Sequence, residues 1–195
     1  MLNVVLTGIG GQGTVLAAKI LAQAAQNRGY HVRTAETIGM SQRGGSVVSH
    51  VRMGNEGERV ASPLVPQGQA DVLIAFEPGE AIRILPLLKQ DGLLVTASRV
   101  VQPVTASLSE KLYEASPLLE ALRQRSAKTI VVDEAPILKA VGNTKTLNII
   151  LLTKAVETGA LGLSMEEFRR AVSECVKPQF KDMNLSAIDL VLAEA

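Results

Sequence analysis

The first thirteen residues of the chain constrain its fold more than any other stretch. An apolar run over residues 3–7 leads into six residues that include four glycines, and an alanine-rich amphipathic stretch follows to about residue 28. This order predicts a strand, a tight turn and a helix, because glycine adopts backbone angles that a Cβ forbids and allows close approach of a ligand. Gly8, Gly10 and Gly13 match the G-x-G-x-x-G spacing. Amides at the start of such a helix can face a phosphate or another anion.

The composition favours one domain built on a parallel sheet. At 195 residues the chain is long enough to bury a substantial core without disulfides. Hydrophobic residues make up 47% and aromatic residues only 3%, so that core must consist of valine, leucine, isoleucine and alanine. This mixture is typical of parallel sheets covered by helices. We therefore expect residues 1–195 to form a single α/β domain.

Charge and cysteine content argue against several functional classes. A formal net charge of +1 gives no support to general binding of nucleic acid or membrane surfaces. The single cysteine, Cys175, cannot form a disulfide within the chain and cannot by itself hold an iron–sulfur cluster or a thiolate zinc site. No apolar run approaches the ~20 residues of a membrane helix, and no signal-like start is visible. We expect a cytoplasmic protein without nucleic-acid or membrane partners.

Strand and helix patterns alternate along the chain. They predict a Rossmann-like, doubly wound and mostly parallel sheet with helices on both faces and a helical C-terminal third. The expected strands are 3–7, 31–35, 47–53, 71–76, 93–97 and 129–133, with a short edge piece at 100–104. The expected helices are 14–28, 77–90, 116–125, 145–158, 165–176, opened by a capping box at 164–167, and a last one capped by Asn184.

Glu36 closes the second expected strand. In a dinucleotide-binding unit, an acidic residue at the end of this strand, roughly 20 residues beyond the glycine turn, binds the ribose hydroxyls. A solvated carboxylate at a strand end explains Glu36 equally well, so both interpretations stay open.

Residues 37–46 form a second glycine-rich loop, which a plain dinucleotide-binding domain does not need. Arg43 can engage a phosphate or carboxylate with two hydrogen bonds, while Gly44 and Gly45 leave backbone amides free for an anion. The alternative is a simple hairpin turn with Arg43 as a surface charge; glycine, arginine and amide side chains together favour a ligand loop. The candidate ligand-binding residues are Gly8, Gly10, Gly11, Gln12, Gly13, Glu36, Gly39, Gln42, Arg43, Gly44 and Gly45.

No set of catalytic residues is visible in the sequence. His31 and His50 are the only histidines, and neither accompanies a serine or cysteine in a nucleophile-elbow pattern. We interpret both as ordinary hydrogen-bonded histidines, with His50 the better candidate for a role because it follows the Arg43 loop. Cys175 reads as a buried structural thiol. We therefore assign no catalytic residue and no metal ligand, and expect a chain that is not self-sufficient as an enzyme.

The same residues resemble a known family. The glycine turn 8–13, the loop 39–46 after Glu36, residues 51–52 and the turn 142–144 before a long apolar helix are similar to the gamma-type component of 2-oxoacid:ferredoxin oxidoreductases. The resemblance spans nearly the whole chain. The loop sequence GMSQRGGSV is its specific part, and it is most similar to the beta subunit of the indolepyruvate enzymes in that family.

This resemblance implies an oxidative decarboxylation. An aryl 2-oxoacid, in this branch indolepyruvate, and coenzyme A would give acyl-CoA and carbon dioxide, with electrons passed to ferredoxin. In that family the thiamine diphosphate and the iron–sulfur clusters belong to a large alpha subunit. The resemblance thus implies that this chain holds neither by itself, is active only with its partner, and helps to shape a coenzyme A or substrate site at the interface.

Two further hypotheses remain at this point. The chain could be a free-standing nucleotide-binding or regulatory module that uses residues 8–13 for NAD or FAD and catalyses nothing. It could also be an assembly platform whose glycine turns are purely structural. The extra Gly11 and the Arg43 loop argue against the first of these, because a plain dinucleotide-binding fold requires neither.

Overall fold

The computed structural model of the chain describes residues 1–39, 44–55, 57–102, 113–126 and 128–194. Within these ranges lie six strands: β1 (Leu2–Ile9), β2 (His31–Ile38), β3 (Ser46–Gly54), β4 (Ala70–Ala75), β5 (Leu88–Ala97) and β6 (Lys128–Val132). The helices in the same ranges are α1 (Thr14–Asn27), α2 (Pro78–Ile84), α3 (Ala115–Arg125), α4 (Ala135–Val141), α5 (Leu147–Glu157), α6 (Met165–Cys175) and α7 (Lys181–Ala193). Short 3₁₀ turns occupy Leu85–Leu87, Thr144–Thr146 and Pro178–Phe180.

The six strands form one sheet in the order β2-β3-β1-β4-β5-β6. Neighbours among β1, β4, β5 and β6 are parallel, whereas β3 is antiparallel to both β1 and β2. Only β3 is therefore reversed within this sheet. The connection from β2 to β3, residues 39–45, is too short for the crossover that parallel neighbours need, so the two strands form a hairpin. The predicted α/β, mostly parallel architecture is confirmed.

Side chains of the strands alternate between two cores, one on each face of the sheet. In β1, Val4 and Leu6 enter the core shared with α1, α5, α6 and α7, whereas Val5 enters the core shared with α2 and α3. Helices thus cover both faces, and the C-terminal third is helical, as predicted. Among the described helices, none combines the length and the apolar character needed to cross a bilayer.

Local sequence signals located several helix ends correctly. The capping box of α6 is present, since Ser164 Oγ accepts a hydrogen bond from the Glu167 N–H at 3.2 Å and Glu167 Oε2 accepts one from the Ser164 N–H at 2.8 Å. Gly29 follows α1 with a φ of 77°, a left-handed conformation that suits glycine just past a helix end.

The helix predicted over 77–90 is wrong in its second half. Helix α2 ends at Ile84, a 3₁₀ turn follows, and β5 already begins at Leu88. Pro86 explains the early end, because proline has no N–H and its ring clashes with the preceding helical turn. The second strand also runs further than predicted, since β2 continues past Glu36 to Ile38.

Two other predictions need correction or comment, and one helix was not predicted at all. Asn184 does not cap the last helix; it lies inside α7, where its Nδ2 donates to the carbonyl of Phe180 at 2.6 Å. Helix α4 was not predicted. Of the expected edge piece at 100–104, residues 100–102 are not a strand, and the remainder lies outside the described residues.

Candidate functional site

The glycine turn lies at the point where the connections of the sheet change direction. From β1 the chain crosses through α1 to β2 on one side, whereas β4, β5 and β6 follow on the other side. In open α/β sheets, ligands bind in the crevice outside the carboxyl ends of the strands at such a switch point. The loops after β1, β4, β5 and β6 converge there and form the candidate site.

The glycine turn exposes backbone amides at this crevice. Gly11 has a φ of 100° and Gly13 a φ of 86°, and Gly13 is the N-cap residue of α1 with no side-chain cap. Within the described residues, the N–H groups of Gly11, Gly13 and Thr14 donate to no backbone carbonyl. A helix start with unpaired amides and a favourable dipole suits an anion.

The two glycine loops touch each other. The N–H of Gly10 donates to the carbonyl of Gly45 at 2.9 Å, and the N–H of Gly39 donates to the carbonyl of Ser46 at 2.8 Å. The structure therefore brings Gly39, Gly44 and Gly45 beside the first turn, as the sequence predicted, but it uses the Gly10 amide within the protein. Residues 40–43 lie outside the described ranges, so the roles of Gln42 and Arg43 stay predictions.

Gln12 connects the glycine turn to the neighbouring strand. Its Oε1 accepts from the Ile9 N–H at 2.7 Å, and its Nε2 donates to the carbonyl of Phe76 at 3.0 Å. A Cβ on Gly8 would lie 2.7 Å from Gln12 Oε1 and 3.1 Å from Phe76. Gly8 and Gln12 thus shape the turn through contacts inside the protein.

Glu36 lies away from the glycine turn. It is exposed on β2, where it pairs with Ser49 of β3, and β3 separates β2 from β1. In a dinucleotide-binding unit the acidic strand is the direct neighbour of β1. The inserted strand moves Glu36 by one strand spacing, about 4.8 Å, and favours the solvated-carboxylate interpretation.

The histidines and the cysteine make ordinary structural contacts. His31 Nδ1 accepts from the Val60 N–H and His50 Nδ1 from the Val65 N–H, both at 3.2 Å, which confirms their interpretation as hydrogen-bonded histidines. Burial lowers the pKa of His50. Cys175 is half-buried, and burial raises the pKa of its thiol, which disfavours a nucleophilic thiolate.

A cluster of carboxylates lies beside the glycine turn, and from the sequence these residues were predicted only to begin a helix. Glu77 is 2% exposed and caps α2, its Oε2 accepting from the Glu80 N–H at 2.8 Å. Glu80 accepts from Ser46 Oγ and pairs with Arg83 at 3.2 Å. Glu77, Glu80 and Arg83 line a cavity of about 190 Å³ together with Tyr113. Burial raises the pKa of Tyr113, and the Glu77 and Glu80 carboxylates raise it further.

The Glu77 carboxyl gives a testable pH dependence. Burial raises its pKa, Glu80 adds to the rise, and nearby backbone amides oppose it. Since the folded chain holds this proton more tightly than the unfolded chain, stability falls as pH rises from the ordinary carboxyl range through the raised pKa. Glu77→Gln keeps an acceptor for Glu80 and removes the titration.

We therefore expect the free energy of unfolding of Glu77→Gln, relative to the wild type, to increase across that pH window and then level off. Urea unfolding followed at a series of pH values measures the difference. A difference in unfolding free energy that is the same at every pH would contradict a raised pKa for Glu77.

Two cavities flank the glycine turn and share Gly11. One, of about 470 Å³, is lined by Gly13, Thr14, Lys19 and Val47 among others. The other, of about 270 Å³, lies on the β4–β6 side, where Arg99, Glu134 and Lys145 line it together with Gly11 and Gln12. None of these three charged residues was among the candidates predicted from the sequence. Arg99 and Glu134 lie two residues beyond the carboxyl ends of β5 and β6, and this position is the signal that could have identified them.

The profile of the family described as pyruvate ferredoxin/flavodoxin oxidoreductase matches residues 3–194. The chain belongs to this family. The resemblance derived from the glycine turn and its neighbouring loop is therefore confirmed.

Relatives of the chain within the pyruvate ferredoxin/flavodoxin oxidoreductase family are individual subunits of these enzymes. The chain is 38% identical over 193 residues to indolepyruvate oxidoreductase subunit IorB of Pyrococcus horikoshii, covering 96% of this chain and 93% of that protein. It is 28% identical to the pyruvate/ketoisovalerate oxidoreductases common subunit gamma of Pyrococcus furiosus, covering 96% and 93%. These relatives are oxidoreductase subunits by name, and the chain is an oxidoreductase subunit of the same family.

Solved structures of family members share the fold. The gamma subunit of a keto/oxoacid ferredoxin oxidoreductase from Geobacter sulfurreducens superimposes with a TM-score of 0.72 at 24% identity, over 100% of this chain and 98% of that chain. The 2-oxoglutarate:ferredoxin oxidoreductase of Magnetococcus marinus, solved with 2-oxoglutarate, coenzyme A and succinyl-CoA, matches with a TM-score of 0.71 at 17% identity. That match covers 98% of this chain but only 30% of the larger chain.

The described part of the chain offers no metal centre. No group of three or more histidine, cysteine, aspartate or glutamate side chains is placed to hold a metal ion in these residues.

Proposed function

We propose that this chain is the small subunit of an indolepyruvate-type 2-oxoacid:ferredoxin oxidoreductase. With a large partner, it would take part in the coenzyme A-dependent oxidative decarboxylation of an aryl 2-oxoacid to acyl-CoA and carbon dioxide, with ferredoxin as electron acceptor. The observation that carries the proposal is the 38% identity to subunit IorB of Pyrococcus horikoshii over nearly the full length of both chains.

The partner subunit would hold thiamine diphosphate and the iron–sulfur clusters. Cys175 is the only cysteine of this chain, so clusters with cysteine ligands must come from elsewhere. In the Magnetococcus marinus enzyme the matching region is a minor part of a larger chain, which supports a division of the same assembly into subunits. We propose that the complex is cytoplasmic, because proteins of this reducing compartment rarely contain disulfides and this chain cannot form one internally.

The partner would cover the surface beside the glycine turn. Ile38 is 64% exposed at the end of the edge strand β2, and Val15 is 42% exposed at the start of α1. Ile38 pairs with Val47 of β3, which lines the 470 Å³ cavity together with Val15. Exposed apolar side chains around an open cavity are typical of an interaction surface. A site completed by the partner at this surface would agree with the expectation from the sequence that this chain is not self-sufficient as an enzyme.

Coenzyme A would contact this chain at the glycine turn. Gly11, Gly13, Thr14 and Lys19 line the 470 Å³ cavity, and within the described residues the amides of Gly11 and Gly13 donate to no backbone carbonyl. Thr14 Oγ1 is buried and has no hydrogen-bond partner within the described residues. Amides, a hydroxyl and an ammonium group are suitable partners for phosphate oxygens. Gln42 and Arg43 are proposed as additional contacts from the adjoining loop.

A free-standing NAD- or FAD-binding module is the weaker alternative. Its ribose-binding acid would have to be Glu36, and the reversed strand β3 separates that residue from the turn. A purely structural role for the glycines is also less satisfactory, because the turn leaves the amides of Gly11 and Gly13 without backbone partners in the described chain.

Reconstitution with the large partner subunit tests the proposed function. The chain and its partner are purified separately and mixed, and reduction of ferredoxin or a viologen dye is followed with indolepyruvate and coenzyme A. We expect a stable complex whose activity requires both chains and both substrates. A mixture that forms no complex and is as inactive as either part would overturn the proposal.

A thermal-shift titration of the isolated chain separates the alternatives. A ligand at about 100 times its dissociation constant should add roughly 2.7 kcal/mol to the free energy of unfolding. Stabilisation by NAD or FAD but not by coenzyme A would favour the free-standing module, whereas stabilisation by coenzyme A would support the glycine-turn contact.

A further inference from the structure

We propose that the 270 Å³ cavity on the β4–β6 side of the glycine turn binds the carboxylate or phosphate of an amphipathic organic anion, and that Glu134 positions Arg99 in it. This cavity is distinct from the one assigned above to coenzyme A, although the two meet at Gly11. All the groups involved belong to this chain, so the proposal is tested without the partner subunit and does not depend on the proposed function.

Two cations from different segments meet at this cavity. Arg99 lies in the loop after β5, and Lys145 lies in the 3₁₀ turn that precedes α5. Both side chains are exposed, and within the described residues neither forms an ion pair with a carboxylate. Glu134 is the negatively charged group among the lining residues, so the lining carries an excess of one positive charge. The amide of Gly11, which has no backbone acceptor in the described chain, adds a donor.

Glu134 ties the Arg99 loop to the start of α4. It is 2% exposed, and its Oε2 accepts from the N–H of Ser98 at 2.9 Å and from Ser98 Oγ at 3.1 Å. Because Ser98 directly precedes Arg99, these two hydrogen bonds fix the backbone from which the guanidinium group extends. Hydrogen bonds to a charged acceptor are stronger than neutral ones and are costly to break when buried. Glu134 is therefore a positioning residue, not a ligand.

A second cavity, which shares Lys145 with the first, indicates the chemical character of the remainder of the ligand. Lys145 also lines an apolar groove of about 310 Å³ between α1, α6 and α7, to which Leu16, Val176, Phe180 and Met183 contribute. An anion bound by Lys145 can therefore extend an apolar or aromatic part into this groove. Ligand pockets commonly combine such an apolar lining with a few polar groups that fix orientation.

Calorimetric titration of the full chain with two probes tests the site. The probes are indole-3-acetate, which combines a carboxylate with an aromatic ring, and inorganic pyrophosphate, which lacks the apolar part. We expect indole-3-acetate to bind more tightly, and Arg99→Ala and Lys145→Ala each to weaken it about tenfold, the loss typical of one charge-assisted hydrogen bond. Lys128→Ala removes an equal charge at the amino end of β6, opposite the site, and should leave binding unchanged.

Pyrophosphate binding alone, weakened by the same two substitutions, would support the anion site and assign it to phosphate groups instead. Binding of neither probe at millimolar concentration would overturn the proposal. The same conclusion would follow if both Arg99→Ala and Lys145→Ala bound the probes as the wild type does.

Two substitutions of Glu134 show whether it acts by positioning Arg99 or only through its negative charge, because these two roles change probe affinity in opposite directions. Removing a negative charge beside an anion site should by itself tighten anion binding. We expect Glu134→Gln, which keeps an acceptor oxygen for Ser98, to bind the probe at least as tightly as the wild type. Glu134→Ala should bind it several-fold more weakly despite the same change in charge. Tighter binding by both variants would exclude the positioning role.

Ser98→Ala provides a milder check in case Glu134→Ala fails to fold. It removes only the Oγ hydrogen bond at the same carboxylate and should weaken probe binding in the same direction. Unchanged binding in Ser98→Ala together with equal binding in the two Glu134 variants would also exclude the positioning role.

Discussion

Replacing Phe76 by alanine is expected to lower the free energy of unfolding by about 3–5 kcal/mol, the usual cost of deleting a buried phenylalanine ring. Phe76 is 1% exposed at the carboxyl end of β4 and belongs to the core beneath α1 and α5. Its carbonyl accepts from Gln12, and its side chain would lie 3.1 Å from a Cβ on Gly8. The substitution should therefore loosen the glycine turn as well as the core.

Urea unfolding measures the effect, and Phe180 supplies the matched control. Phe180 is 37% exposed, so Phe180→Ala removes the same ring from a partly solvated position and should cost less than about 1.5 kcal/mol. Equal decreases in unfolding free energy for the two variants would contradict the claim that the Phe76 ring is a buried part of the core. In the reconstituted complex, we expect Phe76→Ala to reduce activity at temperatures where the chain remains folded.

Replacing Gly13 by alanine should cost about 2–5 kcal/mol of unfolding free energy, through two separate effects. The φ of 86° disfavours any residue with a Cβ by roughly 1–2 kcal/mol. The new Cβ would also lie 2.8 Å from Nδ2 and 3.0 Å from Cγ of Asn148, a buried residue whose Nδ2 donates to the Gly13 carbonyl at 3.3 Å. Crowding of this kind typically adds about 1–3 kcal/mol.

Gly11 and Asn148 allow these two effects to be separated. Gly11 also has a positive φ, but a Cβ there would meet nothing within 4 Å, so Gly11→Ala should show the backbone strain alone. In an Asn148→Ala background, Gly13→Ala should then cost about as much as Gly11→Ala does. A double-mutant cycle with no coupling between positions 13 and 148 would show that the clash is relieved by movement of the helix.

Local rules predicted the elements whose ends are marked by the chain itself. The strand, turn and helix of residues 2–27 follow from apolar runs and glycine, and α6 follows from its capping box. The order of the strands could not be predicted in this way. Nothing local distinguishes a reversed β3 inserted between β1 and β2 from a strand added elsewhere, because the pairing is decided by contacts across the whole sheet.

Two errors have specific physical causes. The apolar residues 85–88 continue the helical pattern of α2, but Pro86 ends the helix and the same residues lead into β5. Asn184 resembles a helix cap by residue type, yet its amide bonds the Phe180 carbonyl, because the Pro178–Phe180 turn starts the helix earlier. A proline that ends a helix and an amide that bonds a carbonyl of the preceding turn are both features that the pattern of apolar residues does not encode.

The candidate site was predicted only where its residues are close in sequence. The glycine turn and the loop 39–46 were recognised, and Gly10 and Gly45 are indeed hydrogen-bonded to each other. Arg99, Glu134 and Lys145 come from three separate segments and meet only after the sheet has formed. Each is an unremarkable charge in its own segment, and its proximity to the glycine turn is a consequence of topology.

The reversed strand β3 has a consequence for how this family can diversify. Because β3 begins at the edge of the sheet where β1 and β2 end, a single reversal delivers a second loop to the side of the molecule that carries the glycine turn. That loop joins two antiparallel neighbours directly and carries no crossover helix that has to pack on the sheet. Residues there can change without disturbing the cores on either face. If this loop contacts the partner or the ligand as proposed, changes in the hairpin can alter partner choice and ligand preference while the remainder of the sheet stays constant.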